Sequence, residues 1–292
     1  MEQQQDKIYE EDSKILALLS HYLNHAPDFI SREDIEEIVR YGVTPEYAFS
    51  VTFAAALGLD ITDNPADAEL YANYFQQMLH MLDVNKYYSN PYYTNIKIPE
   101  IKAGSSELKY ESYKPYEAFV CNDMITTPEG RHIPQIGFFE TEFRFPAVLE
   151  NGRIWMTITP NEVETMKEAV AKASGKVLVY GLGLGYYAYM VSEKAEVAEV
   201  TIVESNEDVI QLFSKHIMPQ FAHGHKITVI KADAFEYAQE RMPAGNYDFV
   251  FTDLWHDVSD GIGMYLRMKA YEEQNPSTQF MYWIEQSLLC YL

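Results

Sequence analysis

The run from Lys176 to Met190, KVLVYGLGLGYYAYM, constrains the fold more than any other stretch of this chain. Val177, Leu178 and Val179 form the short apolar run expected of a parallel strand covered on both faces. Gly181, Gly183 and Gly185 follow at once. Glycines at alternate positions let the backbone bend sharply and approach a bound group closely, because no Cβ intervenes. The helix that begins at Tyr186 points its amide N–H groups and positive end at that turn.

Downstream, strand-like and helix-like segments alternate, the signature of an open parallel sheet. VTIVES reads as the second strand, KITVIKAD as the third and YDFVFTDLW as the fourth. The tail after Trp255 reads mostly as helix, so the sheet is expected to lack its last strands. The β region upstream, or a partner chain, would then cover the open edge beyond the fourth strand.

Upstream the pattern differs. Residues up to about Asp83 read as four helices. Ser31-Arg-Glu-Asp34 resembles a capping box, Gly42 is a natural stop, and Thr44-Pro45 is an N-cap followed by proline at the first helical position. ADAELYANYFQQMLHMLD is expected to be helical to its end, with Leu70, Tyr74, Met78 and Leu82 on one stripe. Val84–Pro115 is a connector without clear periodicity. From Tyr116 the text turns β-branched and aromatic, with turn signals at Pro128-Glu-Gly130 and Glu150-Asn-Gly152, and predicts a small β meander. Thr159-Pro160-Asn161-Glu162 reads as a second capping box. The expected division is therefore 1–115, a helical lobe and connector; 116–159, a small β region; and 160–292, the parallel-sheet domain.

Composition narrows the function. The net charge is −22, and no run of Lys and Arg interrupts it. Such a surface repels phosphate backbones and disfavours nucleic acid as substrate. Cys121 and Cys290 are the only cysteines, which makes neither a disulfide framework nor a zinc pattern; no metal is expected, and a reducing, cytoplasmic setting is. The N-terminus lacks the basic and apolar regions of a signal peptide, and no apolar run approaches the ~20 residues of a membrane span.

The glycine spacing excludes two common sites. A dinucleotide fingerprint needs glycine at first, third and sixth positions, and the sixth residue from Gly181 is Tyr186. A P-loop would end in Gly-Lys-Ser/Thr, which is absent. Three further markers follow. Glu204 ends the second strand, where a carboxylate can accept both hydroxyls of a ribose. Asp233-Ala234 ends the third, where an acid can bind the exocyclic amine of adenine and a small residue lets a flat base lie close. Asp253 ends the fourth. All lie at carboxyl ends of strands, where open α/β sheets bind ligands.

These segments, VLVYGLGLG, VTIVES, KADAF and YDFVFTDLW, together resemble the successive motifs of class I S-adenosylmethionine-dependent methyltransferases. The β region before the sheet is similar in layout to the spermidine-synthase (aminopropyltransferase) branch. The resemblance spans about Thr159 to Asp257. It implies a Rossmann-like α/β fold binding S-adenosylmethionine, with Gly181, Gly183 and Gly185 near the methionine moiety, Glu204 on the ribose and Asp233 with Ala234 around the adenine. Asp253 would face the sulfonium and the acceptor. The fourth motif, Asp253-Leu-Trp-His256, departs from the prolines of base-amine methyltransferases and from the Asp-Ser-x-Asp-Pro segment of aminopropyltransferases.

Asp253 and His256 are the candidate catalytic residues, since transfer to an amine or hydroxyl can need a base. Trp255 can stack on a flat substrate or sit in the core; one of Tyr186 and Tyr187 is expected to line the pocket and the other to pack. The leading expectation is methyl transfer to a small-molecule or protein acceptor. The alternatives are aminopropyl-type alkyl transfer to an amine, and a non-catalytic nucleoside-binding protein on the same fold. A homodimer is expected, because a truncated sheet and Tyr-rich helices favour one.

Overall fold

The computed structural model describes residues 2–292. It divides into two compact units, one built from the chain up to Asn85 and from Ser112–Arg144, the other from Lys86–Glu111 and Phe145–Leu292. These units do not coincide with the segments 1–115, 116–159 and 160–292: residues 112–144 join the first unit and 86–111 the second.

Four helices open the chain: α1 (Glu2–His25), α2 (Arg32–Val39), α3 (Pro45–Ala56) and α4 (Pro65–Met78). The Ser31–Asp34 capping box forms, and Thr44 accepts the Tyr47 N–H at the head of α3. Where helix was expected to run on to Asp83, the chain leaves α4 at Leu79 and forms strand β1 (Leu79–Met81). The reason lies far away in sequence. His80 pairs with Gly137 in register, and its Nε2 lies 2.8 Å from Gln135 Oε1.

Next come short helices α5 (Val84–Tyr88) and α6 (Pro91–Asn95), in the stretch where no periodicity was legible. Strands β2 (Ile101–Ala103), β3 (Ser106–Tyr113), β4 (Phe119–Thr126), β5 (His132–Phe138), β6 (Phe143–Glu150) and β7 (Arg153–Thr157) follow. They do not form one meander. In the first unit, β5 lies between β1 and β4, and its buried residues close a core of Ile15, Phe49, Phe53, Tyr74 and Met78. The Phe49 and Phe138 rings stack with centroids 3.7 Å apart. The other sheet runs in the order β2-β3-β6-β7. Its β6–β7 hairpin turns at Asn151 (φ 51°) and Gly152 (φ 79°), as the Asn-Gly signal predicts.

The parallel sheet follows helices α7 (Pro160–Thr165) and α8 (Lys167–Lys172). Its elements in chain order are β8 (Gly175–Tyr180), α9 (Tyr186–Ser192), β9 (Val197–Glu204), α10 (Glu207–Leu212), β10 (Ile227–Lys231), α11 (Ala234–Glu240), α12 (Met242–Gly245), β11 (Phe249–Thr252), α13 (Val258–Gln274), β12 (Gln279–Tyr282) and α14 (Glu285–Leu289). The spatial order is β10-β9-β8-β11-β12, with every pair parallel.

This is the expected Rossmann-like α/β fold with an N-terminal helical lobe, with one correction. The tail after Trp255 is not all helix. β12 pairs with β11 from Phe249↔Gln279 to Thr252↔Tyr282, so the edge beyond the fourth strand is covered by the chain's own fifth strand, not by the upstream β region. Its four residues are too short for periodicity to distinguish from a helix end.

Candidate active site

The strand order reverses direction between β8 and β11, and an open α/β sheet leaves a crevice at the carboxyl ends of such a pair. The Asp253 N–H donates to the Tyr180 carbonyl at 2.9 Å, and the Gly181 N–H donates to the Val203 carbonyl at 3.0 Å. The turn after β8 is thus fastened to both neighbouring strands.

All three glycines of that turn have positive φ: 96° at Gly181, 54° at Gly183 and 75° at Gly185. Two are demanded by packing. A Cβ on Gly181 would lie 2.0 Å from the Asp253 carbonyl oxygen, and one on Gly185 would lie 2.3 Å from the Phe213 ring. At Gly183 a Cβ would meet only the flexible Met156 Sδ, at 3.2 Å, so the middle of the turn is its most open point.

Glu204 is buried, with 8% of its surface exposed, and ties two loops together. Its Oε2 accepts the Leu182 N–H at 3.1 Å, and its Oε1 accepts the Asn206 N–H at 2.8 Å. Each oxygen retains a second lone pair, so the carboxylate is held in place with acceptor capacity to spare. Asp233 caps α11, its Oδ1 accepting the Phe235 and Glu236 N–H groups, both at 2.9 Å. Its Oδ2 has no part in that cap. Ala234, the first residue of α11, is buried.

Asp253 keeps some accessible surface while protein atoms surround its carboxyl closely. Burial, followed by the charge of Glu204, pushes its carboxyl up to about 7. Glu162, on the first turn of α7, lies in the same setting, and burial followed by Asp253 holds its carboxyl well above the usual range. No salt bridge reaches Glu162, Glu204 or Asp253 among the described residues.

Reading Glu162 as part of a capping box is corrected here. Thr159 makes no side-chain capping bond, and the Glu162 carboxyl is instead raised by burial and by the charge of Asp253. No local signal could have revealed this, because Glu162 is brought to Asp253 by Trp283. The Trp283 N–H donates to the Thr252 carbonyl at 3.0 Å, while its indole N–H donates to Thr165 Oγ1 at 3.0 Å. Thr165 and Glu162 are three residues apart and share a helix face.

The remaining candidates have other partners. His256 is exposed, its ring stacked on Trp155 with centroids 5.8 Å apart, while its backbone N–H donates to Asp260. Asp257 caps α13, and hydrogen bonds from Ser259 hold its carboxyl below the usual range. Trp255 is a core residue packed on Gly261. Tyr187 also packs, stacked on Phe251 at 4.1 Å, whereas burial, followed by the charges of Glu164 and Glu162, pushes the Tyr186 hydroxyl up to about 12 against the lowering effect of the Asn90 hydrogen bond.

A second group of residues went unread. The Tyr92 hydroxyl donates to the Leu184 carbonyl within the glycine turn at 2.6 Å, the Asn90 amide donates to the Tyr186 hydroxyl at 3.0 Å, and the Asn95 amide donates to the Tyr189 hydroxyl at 2.8 Å. Helix α6 and its flanking residues therefore strap the turn and α9 in place.

Residues 162–268 match the spermine/spermidine synthase domain family. No curated protein matches the chain. With the parallel sheet, that match gives the chain a class I S-adenosylmethionine-dependent methyltransferase-like, spermidine-synthase-like layout. Among the described residues, no helix is long and apolar enough to cross a membrane, and no group of three or more His, Cys, Asp and Glu could hold a metal ion.

Proposed function

We propose that the crevice between β8 and β11 transfers an alkyl group, of the aminopropyl type, from a sulfonium nucleoside to an amine. The observation that carries this reading is Asp253: a closely surrounded carboxyl at the switch point, backed by Glu204 and Glu162, with no salt bridge to balance it among the described residues. A site of that charge favours cations, and both a sulfonium and an alkylammonium are cations. The spermine/spermidine synthase family uses decarboxylated S-adenosylmethionine, which carries both and lacks the carboxylate that acidic walls would repel.

The residues present suit such a nucleoside. Glu204 has acceptor capacity for two ribose hydroxyls, Asp233 Oδ2 and the small Ala234 suit an adenine edge and face, and Gly183 leaves room above the turn. The donor supplies an electrophilic carbon bonded to a positively charged sulfur. In the displacement the amine nitrogen forms the new C–N bond, the C–S electron pair returns to sulfur as a neutral thioether, and the ammonium so formed loses a proton to Asp253. The protein's part is to align the two partners, exclude water and hold that proton. His256, at the exposed rim against Trp155, contributes to acceptor entry in this reading.

Methyl transfer from S-adenosylmethionine is the second reading, favoured by one observation. The segment after Asp253 is Leu-Trp-His and lacks the Asp-Ser-x-Asp-Pro pattern of aminopropyltransferases. Incubation with either donor and a panel of alkylamines, followed by mass spectrometry, separates them. Release of 5′-methylthioadenosine from the decarboxylated donor is expected. S-adenosylhomocysteine as the sole nucleoside product establishes methyl transfer instead, and failure to bind either nucleoside removes both readings.

A further inference from the structure

We propose that two copies of this chain pair through the N-terminal helical lobe, Phe29 of each copy entering a cavity on the other. That face lies outside residues 162–268 and is independent of the alkyl-transfer reading.

The cavity lies between the last turns of α1 and the end of α3 and measures about 250 Å³. Tyr22 and Leu57 line it, each only 5% exposed, and the Tyr22 ring packs edge-on against Phe53 at 5.0 Å. The core of the lobe therefore holds that wall in place. Leu18, Ala26 and Ala56 extend the apolar lining. The rings of His21 and His25, stacked with centroids 4.6 Å apart, complete it.

Phe29 also lines this cavity, yet 67% of its surface is exposed. The exit from α1 explains why. Pro27 cannot continue the helix, and the next apolar residue, Ile30, takes the place in the core. Its neighbour Phe29 is turned outward, an exposed aromatic ring beside a hollow.

The size of the hollow selects what fills it. An apolar cavity of about 150 Å³ admits a benzene ring. Drug-sized ligands occupy pockets of about 300–1,000 Å³. At about 250 Å³ the hollow suits one aromatic side chain. Its own patch carries such a side chain in Phe29. A patch holding both projection and hollow is self-complementary about a two-fold axis, where the same surface serves both subunits. Charge agrees with this. Asp28, exposed and paired with Lys114, precedes Phe29, so entry of the ring brings an acid to the imidazoles of the facing copy. In a chain of net charge −22, a face that sets acids against imidazoles avoids the repulsion of acid against acid.

The test is sedimentation velocity of the full chain over the micromolar range, with two substitutions of opposite kind. Phe29→Ser removes the projection and keeps the hollow. Ala56→Phe fills the hollow and keeps the projection, and Ala26→Leu repeats the filling from α1's side should Ala56→Phe not fold. Wild type is expected to dimerise, and each substitution to raise the dissociation constant about 10-fold or more. Thermal unfolding of the dilute monomers should stay as in wild type. Mixed in equal amounts, the projection-less and filled variants restore one of the two insertions, so a heterodimer weaker than the wild-type dimer is expected. A wild type that stays monomeric overturns the proposal, as does a dimer that either kind of substitution leaves intact. A monomer whose native mass spectrum carries an apolar small molecule overturns it in favour of a ligand site. None of these outcomes touches the alkyl-transfer reading.

Discussion

The two segments that meet at the switch point solve opposite problems. After β8, the glycine turn is constrained by shape. Gly181 and Gly185 are pinned by atoms of the protein itself, and the backbone there is strapped by Tyr92 and Glu204. After β11, Asp253 is constrained by charge, and among the described residues no salt bridge compensates it. A feature that the fold accounts for in full needs no ligand to explain it. A feature the fold leaves unbalanced is where a ligand belongs. The contrast teaches that the glycines are mainly scaffold, while the acids are what the proposed chemistry calls on.

The sharpest way to break this comparison is to remove the charge and keep the shape. Asp253→Asn should lower kcat for alkyl transfer by about 10²- to 10⁴-fold, the span of general-base catalysis, while 5′-methylthioadenosine still binds. An unaffected kcat would move the chemistry away from Asp253.

The converse variant keeps the charge and disturbs the shape. Gly185→Ala places a Cβ against the Phe213 ring at a positive φ, and Gly181→Ala does so against a backbone carbonyl. Each should cost about 3 kcal/mol or more in urea unfolding, because neither the ring nor the backbone can withdraw freely.

Unliganded stability should also report the charge. Asp253 titrates near 7 in the folded chain and near 3.8 in the unfolded one. Between those values the folded state binds more protons than the unfolded, so stability falls as pH rises through that window. Asp253→Asn should flatten the fall, and saturating 5′-methylthioadenosine with diamine should oppose it. A profile unchanged by the substitution would show that Asp253 is not held in a proton-retaining cleft.

Trp283→Phe deletes the indole bond to Thr165 and should cost about 1 kcal/mol in stability. It should also raise KM for a diamine acceptor more than it weakens nucleoside binding, by loosening α7. The smallest effect is expected at Gly152→Ala, in the β6–β7 hairpin. Nothing lies within 4 Å of an added Cβ there, so only the positive φ of 79° is strained, worth about 1 kcal/mol.

Much of this was legible in the chain. The Asn151-Gly152 turn, the Ser31 capping box and the first four parallel strands each depend on residues close in sequence, so spacing and residue type suffice to find them. Glu204 and Asp233 could be named as candidates because the residues at the end of a parallel strand are known once the strand is known. His80 was misread as helical because the partner that claims it, β5, lies more than 50 residues away. The strap from Asn90 to Asn95 was invisible because its contacts, with Leu184, Tyr186 and Tyr189, leave no periodic trace in KYYSNPYYTN.

Sequence alone determined that a glycine turn follows a buried strand and that acids end the next three strands. Those facts rest on local backbone preference and on alternation along single strands. Only the tertiary structure decided that the sheet has a fifth strand, that Trp283 just after it bonds both Thr252 and Thr165, and that the charge of Asp253 reaches the buried carboxyl of Glu162. Mutual influence between two carboxyls depends on their nearness and burial. Both are set by packing between segments about 90 residues apart in the chain, where no local rule of sequence reaches.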